Sequence, residues 1–306
     1  MTDPADRGLL PNGVDDPDDL RSLLAEHAYL ADTGLGTAVF LALKLGRPLF
    51  LEGEPGVGKT EVGRTLAAVL DAPLIRLQCY EGIDATQALY DWDFPRQLLH
   101  LRAAEAAHAA SDVTALEDQL YDRRFLIARP LLAALETTPS VLLIDEIDRA
   151  DDEFEAFLLE VLSDFAVTVP ELGTIRAETR PVVVVTSNRT REVHDALKRR
   201  CYYHWLDHPT YEREVEIVCV RVPEVNRRLA EQVAKATQAL RQADLFKPPG
   251  VAESIDWTEA LVALGVDDLD PDTALRTIGA VLKYREDQER MGRLDVGEII
   301  AASLGA

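Results

Sequence analysis

Basic residues are scarce in this chain. Its 32 lysines and arginines face 54 aspartates and glutamates, leaving a formal net charge of −22. No dense Lys/Arg block interrupts that acidity, so the chain repels a phosphate backbone and a nucleic-acid role starts at a disadvantage. Cysteine is scarcer still. Cys79, Cys201 and Cys219 are widely spaced and flanked by apolar residues, with no CxxC, and read as buried free thiols rather than ligands or nucleophiles. The six histidines show no ligand spacing; His100 and His108, the closest in a helical stretch, stand more than two turns apart. No apolar run reaches the ~18–20 residues that span a bilayer. The start, MTDPADRGLLPNG, lacks the basic opening and apolar centre of a secretory signal, so a cytoplasmic location is expected. No internal repeat is evident.

What is present is the balance of a globular protein: 306 residues, 47% hydrophobic and 28% charged, enough for one large domain or two ordinary ones. Residues 1–19 carry six aspartates and three prolines and read as an acidic, solvated leader. Helical patterns at 20–24 and 37–45 follow. Five short apolar runs then read as buried strands: 48–52, 74–79, 141–145, 182–186 and 201–206. Amphipathic stretches separate most of them, which predicts an α/β fold with a parallel sheet covered by helices on both faces. Residues 151–165 show the helix period best, with Asp151 and Asp152 at the N-terminal end. Residues 167–177 read as a hairpin around Pro170–Gly173. From about 208 no convincing strand remains, and helical patterns fill 210–221, 223–245, 255–264 and 271–290, predicting a small all-α lid. The expected organisation is a leader at 1–19, a core at 20–207 with an insert near 80–125 and a hairpin near 165–180, and a lid at 208–306.

Within FLEGEPGVGKTEVGR lies Gly53-Glu54-Pro55-Gly56-Val57-Gly58-Lys59-Thr60, followed by Glu61. This G-x-x-x-x-G-K-T run follows a predicted strand and opens a helix. Glycines there let backbone N–H groups close around phosphate oxygens, and the helix N-terminus adds positive potential. Lys59 would reach the β- and γ-phosphates of ATP, and the Thr60 hydroxyl would ligate Mg²⁺. The alternative is a glycine-rich turn with an exposed lysine. The run Val141-Leu142-Leu143-Ile144-Asp145-Glu146 ends a buried strand in two carboxylates: Asp145 to hold Mg²⁺ through water, Glu146 to polarise the attacking water. Asn188, just past the strand VVVVTSNRT, has an amide that can orient that water, or Ser187 and Asn188 simply cap the next helix.

These elements, in this order, resemble the AAA+ ATPases, a P-loop NTPase fold, and within them the MoxR type. The phrase Lys247-Pro248-Pro249-Gly250-Val251-Ala252-Glu253-Ser254-Ile255-Asp256-Trp257 is similar to a stretch typical of that group, as is Arg76-Leu77-Gln78-Cys79. The similarity runs from about residue 20 onward. It implies that Arg200, with Arg199 as the reserve, reaches the nucleotide of an adjacent subunit, so that a ring, expected to be a hexamer, is needed for activity. Read without the resemblance, both arginines simply offset a helix dipole. In the related clade, an insert at the position of 80–125 faces the central pore; with the hairpin it is the candidate for substrate engagement, and surface loops are the alternative. One departure stands out. MoxR-like chains present an arginine after a Ser-Pro pair at the start of the last lid helix, where this chain has Asp270-Pro271-Asp272; Arg276, one turn on, is the candidate substitute.

The resemblance implies an ATP-dependent remodelling chaperone acting on a protein client with a partner bearing a von Willebrand factor A domain, often to mature a metalloenzyme. RLQCYEGIDATQALYDW looks similar to the branch linked to maturation of carbon monoxide dehydrogenase. Two other classes stay open: a nucleic-acid motor, against which the −22 charge weighs, and a nucleotide-gated scaffold with slow hydrolysis.

Overall fold

The structure, a computed structural model, describes residues 9–106 and 119–293. Among these, one compact unit comprises the residues up to Leu23, Asp32–Glu52 and Val62–His204; a second comprises Leu24–Ala31, Gly53–Glu61 and the residues from Trp205 on.

In chain order the first stretch holds α1 (Pro17–Glu26), α2 (Thr33–Leu45), β1 (Leu49–Gly53), α3 (Lys59–Val69) and β2 (Leu74–Gln78). The segment after β2 holds α4 (Ala85–Leu89), β3 (Tyr90–Trp92), α5 (Phe94–Ala106), β4 (Leu126–Ala128) and α6 (Pro130–Glu136). Then come β5 (Val141–Asp145), α7 (Asp152–Asp164), β6 (Ala166–Val169), β7 (Gly173–Arg176), β8 (Val182–Ser187), α8 (Asp195–Arg200) and β9 (Tyr202–Leu206). A five-stranded sheet runs β2-β5-β8-β1-β9. β5 and β8 are buried at every position, which is why both read as unbroken apolar runs rather than alternating ones. β2, β8 and their neighbours pair in parallel, with Gln78 opposite Asp145, Ile144 opposite Val185 and Glu52 opposite Ser187. The C-terminal ends of β2, β5, β8 and β1 therefore share one edge. α6 and α7 pack Leu131, Leu132, Phe154 and Leu158 into the core built on this sheet, and each fully buried side chain of that kind contributes about 1.5–3 kcal/mol. α7 starts where Asp151 accepts the Phe154 N–H at 2.9 Å, and stops at Phe165, whose φ of 47° ends the helix and launches β6.

Several boundaries differ from the sequence pattern. Residues 9–19 are not a free leader: the Leu9 N–H donates to the Leu43 carbonyl at 2.9 Å, Val14 is buried, and α1 opens at Pro17. Residues 1–8 of the expected leader lie outside the described residues. α2 begins at Thr33 rather than Thr37 because Asp32 caps it through the Leu35 N–H at 2.7 Å. The segment near 80–125 carries β3 and β4, an antiparallel pair of three-residue strands too short to register as alternation. The rest of its Ala-rich stretch, 107–118, lies outside the described residues. β6 and β7 form an antiparallel pair joined by three residues.

The second unit holds α9 (Tyr211–Arg221), α10 (Arg227–Gln242), α11 (Val251–Ala263), α12 (Pro271–Thr277) and α13 (Arg285–Arg293). Its core centres on Trp257, fully buried among Leu229, Val233, Leu240 and Leu261, with its indole N–H donating to Thr277 Oγ1 at 2.8 Å. The single helix expected over 271–290 is broken. A 3₁₀ turn at Ile278–Ala280 follows α12, around Gly279, a poor helix former, and the chain then turns Val281 and Leu282 into the core before α13. No helix among the described residues is long and apolar enough to cross a membrane.

Candidate active site

The phosphate loop continues directly from β1. A Cβ on Gly53 would lie 2.3 Å from the Leu206 carbonyl oxygen, so only glycine fits there. Gly56 and Gly58 sit at φ of +79° and +96°, conformations that side chains resist and that turn successive loop amides. Lys59 opens α3 almost fully buried, its Nζ donating to the carbonyls of Gly53 at 2.8 Å and Glu54 at 2.7 Å. The cation is thereby held over the loop. Glu54, Pro55 and Val57 fill the remaining loop positions, and Thr60 and Glu61 occupy the first turn of α3. Glu61 pairs with Arg221 of α9 at 2.7 Å.

The same unit lays the start of α11 against this loop. The Ala252 N–H donates to the Gly56 carbonyl at 3.1 Å. A Cβ on Gly250 would fall 2.7 Å from Gly56 Cα, and Glu253 closes the turn by accepting the Gly250 N–H at 2.8 Å. Nothing in the loop motif announces this contact. The signal was the glycine of the KPPGVAE phrase, legible only as a familiar stretch. Arg276, on α12, is exposed and donates to Thr273 Oγ1 at 3.3 Å. Asp270 caps α12 through the Thr273 hydroxyl and N–H, which together hold its carboxyl below the usual carboxylate range.

At the sheet edge, Asp145 ends β5 almost fully buried. Its Oδ1 accepts the Thr186 hydroxyl at 2.5 Å and its Oδ2 accepts Arg76 Nε at 3.0 Å and Nη2 at 2.5 Å. Glu146 turns into the left-handed region at φ 57°, its N–H donating to Thr186 Oγ1 at 3.0 Å. Three donors converge on its carboxylate: Asn188 Nδ2 on Oε1 at 3.3 Å, and Gln78 Nε2 and Arg149 Nη1 on Oε2, each at 3.2 Å. Asn188 is itself held from behind, its N–H donating to Asp148 Oδ1 at 3.1 Å while Thr190 binds Oδ2 through its N–H and hydroxyl. Glu146 and Asn188 are thus brought together, and the N-cap of the next helix is His194. Sequence reading missed Gln78, Arg149, Thr186 and Asp148, and left Arg76 without a role. The available signal was the alternation Arg76, Gln78 in an otherwise apolar strand, which puts both side chains on one face.

Cys79 follows Gln78 and is buried. Burial, reinforced by the carboxylates of Asp145 and Asp148, pushes its thiol up to about 12. Arg199 and Arg200 end α8, and both are exposed. Arg200 Nη1 donates to the Leu159 carbonyl at 3.2 Å. Neither arginine joins the donors around Glu146 within its own chain.

Residues 48–201, half of the chain, match the family model described as AAA domain (dynein-related subfamily). No curated protein matches the chain in sequence. Among solved structures, similarity extends to a RuvB point mutant of Thermotoga maritima, at 18% identity over 95% of this chain and 83% of that one, with a TM-score of 0.48. The RuvB Holliday junction branch migration motor of the same organism gives 18% identity over 94% and 84%, with a TM-score of 0.46. Likeness at that level says nothing of what this chain acts on.

Proposed function

The chain belongs to the AAA domain family, in its dynein-related subfamily, and is an ATPase; from that premise we propose that it is a MoxR-type machine that uses hydrolysis to remodel a protein client. Members of the family bind nucleotide, typically with Mg²⁺, and usually assemble into rings. The residues here suit that chemistry. Left-handed glycines and a lysine at a helix start fit a triphosphate, and the Thr60 hydroxyl and the Asp145 carboxylate are each hard oxygen donors of the kind Mg²⁺ prefers. When bound, Mg²⁺ neutralises charge on the β- and γ-phosphates.

The chain's own residues supply the rest. Lys59 and the amides of residues 53–60 bind phosphate oxygens. Glu146 accepts a proton from the attacking water, and Asn188, already donating to that carboxylate, fixes its direction. Arg200, or Arg199 in its place, leaves α8 exposed to serve the site of a neighbouring subunit. A core over 20–207 and a helical lid over 208–306 are the parts this reading assigns, with Arg276 as a candidate lid contact to nucleotide. A cytoplasmic hexamer, a partner with a von Willebrand factor A domain, and a role in metalloenzyme maturation such as that of carbon monoxide dehydrogenase complete the reading.

The observation that carries the client class is α5. Phe94, Leu98 and Leu99 stand 63%, 51% and 67% exposed on a chain of net charge −22, an apolar grip suited to an unfolded polypeptide and not to a phosphate backbone. The test is steady-state ATP hydrolysis at several protein concentrations, with a permanently unfolded model protein or single-stranded DNA added. Specific activity is expected to rise with concentration, to increase with the unfolded protein, and to be lost in Arg200→Ala. Stimulation by DNA alone would replace the client reading with that of a nucleic-acid motor.

A further inference from the structure

One carboxylate at the sheet edge lies outside the hydrolytic set. Glu52, the residue before Gly53, is 3% exposed and gathers donors from three elements. Lys198 Nζ lies 3.3 Å from each of its oxygens, the Tyr203 hydroxyl donates to Oε2 at 2.9 Å, and the Ser187 hydroxyl approaches Oε1 at 3.4 Å. Lys198 also sits over the rings of Phe50 and Tyr203, at 5.6 and 5.8 Å. Partial desolvation, then the hydrogen bond to Glu52, pushes the Tyr203 phenol up to about 12.

The chain positions of these partners matter. Ser187 directly precedes Asn188, and its Oγ also accepts the Arg189 N–H at 3.0 Å, bracketing Asn188 on both sides. Lys198 directly precedes Arg199 and Arg200. α8 has six residues, too few to hold a direction by its own hydrogen bonds. Its outer end is held by Leu197 in the core, by Lys198 on Glu52 and by Arg200 on the Leu159 carbonyl. Glu52 is buried but Lys198 is 26% exposed, so the pair contributes little net stability of its own and its presence asks for another explanation.

We propose that Lys198, anchored on Glu52, is a positioning residue that aims the arginine end of α8 at the neighbouring subunit's nucleotide, in register with Asn188 of its own. This rests on the reading of Arg199 or Arg200 as the trans-acting arginine. Lys198 is engaged by Glu52 and by the Phe50 and Tyr203 rings, so its role is assigned as positioning and not catalytic. Its effect is exerted in the adjacent site, and that separates it from a structural prop of its own fold.

Mixed rings test this. A subunit carrying Glu146→Gln has a dead site and an intact arginine; one carrying both Arg199→Ala and Arg200→Ala has the reverse. Mixing the two is expected to restore ATP hydrolysis. Adding Lys198→Met to the Glu146→Gln subunit should then lower the restored kcat by about tenfold or more with KM for ATP within twofold, as expected for a misaimed arginine. Adding it to the arginine-deficient subunit should lower it by less than twofold, and Lys198→Arg in the first position should recover most of the rate. Because Lys198→Met strands Glu52, the pair Glu52→Gln with Lys198→Met is run alongside and should show the same asymmetry with native circular dichroism. Equal losses from either subunit, or none, overturn the positioning role while leaving the arginine reading intact. No restoration by the first mixture overturns both.

Discussion

Asn188 Nδ2 donates to Glu146 Oε1 across 3.3 Å, linking the end of β8 to the carboxylate that follows β5. The amide can reach that carboxylate because β5 and β8 are parallel neighbours, with Ile144 opposite Val185, so both chains leave the sheet at the same edge. Glu146→Gln is expected to lower ATP turnover by about 10²–10⁴-fold while leaving nucleotide binding intact, as for loss of a general base. Asn188→Ala, which removes one hydrogen bond to a charged group, should cost about 10- to 100-fold. Turnover and fluorescent-nucleotide binding, measured together, check this; a Glu146→Gln protein that turns over normally removes Glu146 from the chemistry.

The approach of Gly250 to Gly56 gives a second expectation. A Cβ at 250 would meet the Gly56 backbone at 2.7–2.8 Å, and backbone cannot swing aside as a flexible side chain does. Gly250→Ala must therefore displace either the phosphate loop or the start of α11, an overpacking of about 1–3 kcal/mol. Weaker nucleotide binding, by roughly tenfold for a displacement near 1.4 kcal/mol, should accompany a lower melting temperature. Gly279→Ala is the control, since its Cβ would find only the flexible end of Gln288, at 3.8 Å. If both variants bind nucleotide like the parent, the close packing has no bearing on the loop.

The parallel sheet was legible because β1, β5 and β8 are apolar runs closed by polar chemistry, and the phosphate loop because its glycines and lysine leave few alternatives. What stayed hidden is what long-range pairing creates. Gln78 meets Glu146 only once β2 lies beside β5, 68 positions on in sequence. Glu52 gains its meaning from Lys198, 146 positions away. Three-residue strands such as β3 and β4 carry too few residues for a period, and the break after α12 arises from where Val281 and Leu282 are buried, not from a proline. Residues 9–19 read as solvated by composition, yet Val14 and the Leu9 amide find partners that composition does not encode.

Two buried thiols make stability fall on the alkaline side. Burial raises Cys79 and Cys201 from 9.0 to about 12 in the folded chain. The unfolded thiols ionise near 9, so this contribution is complete below pH 9 and is lost as pH rises toward 12, by at most about 1.4 kcal/mol per pH unit for each group. Urea unfolding at intervals from pH 8 to 11 should show a declining midpoint that falls less steeply in the Cys79→Ala, Cys201→Ala double variant. A parent curve already flat over that window would refute the assignment. Native protein at pH 8 should also resist alkylation at both positions.

Glu214 and Arg241 form a bidentate charge pair in the helical unit. Glu214 is fully buried, its two oxygens accept Arg241 Nη1 and Nη2 at 2.6 Å each, and the Ser254 hydroxyl adds a third bond at 2.5 Å. The same guanidinium donates through Nε to the Pro249 carbonyl at 2.7 Å, one residue before Gly250. Removing either partner leaves the other charged and without its counterion, which costs about 3–5 kcal/mol, whereas replacing both with apolar residues of similar volume is close to neutral. Urea titration of Glu214→Ala, Arg241→Met and the pair Glu214→Leu with Arg241→Met is expected to show two large losses and a recovery. Nucleotide affinity separates stability from function. The double variant, though stable, lacks the bond that holds Pro249, and its α11 start should sit loosely against Gly56. Its nucleotide binding should therefore remain weaker than the parent's even where its urea midpoint matches. Full recovery of both properties would mean that the pair serves folding alone, and that Pro249 needs no help in seating the loop.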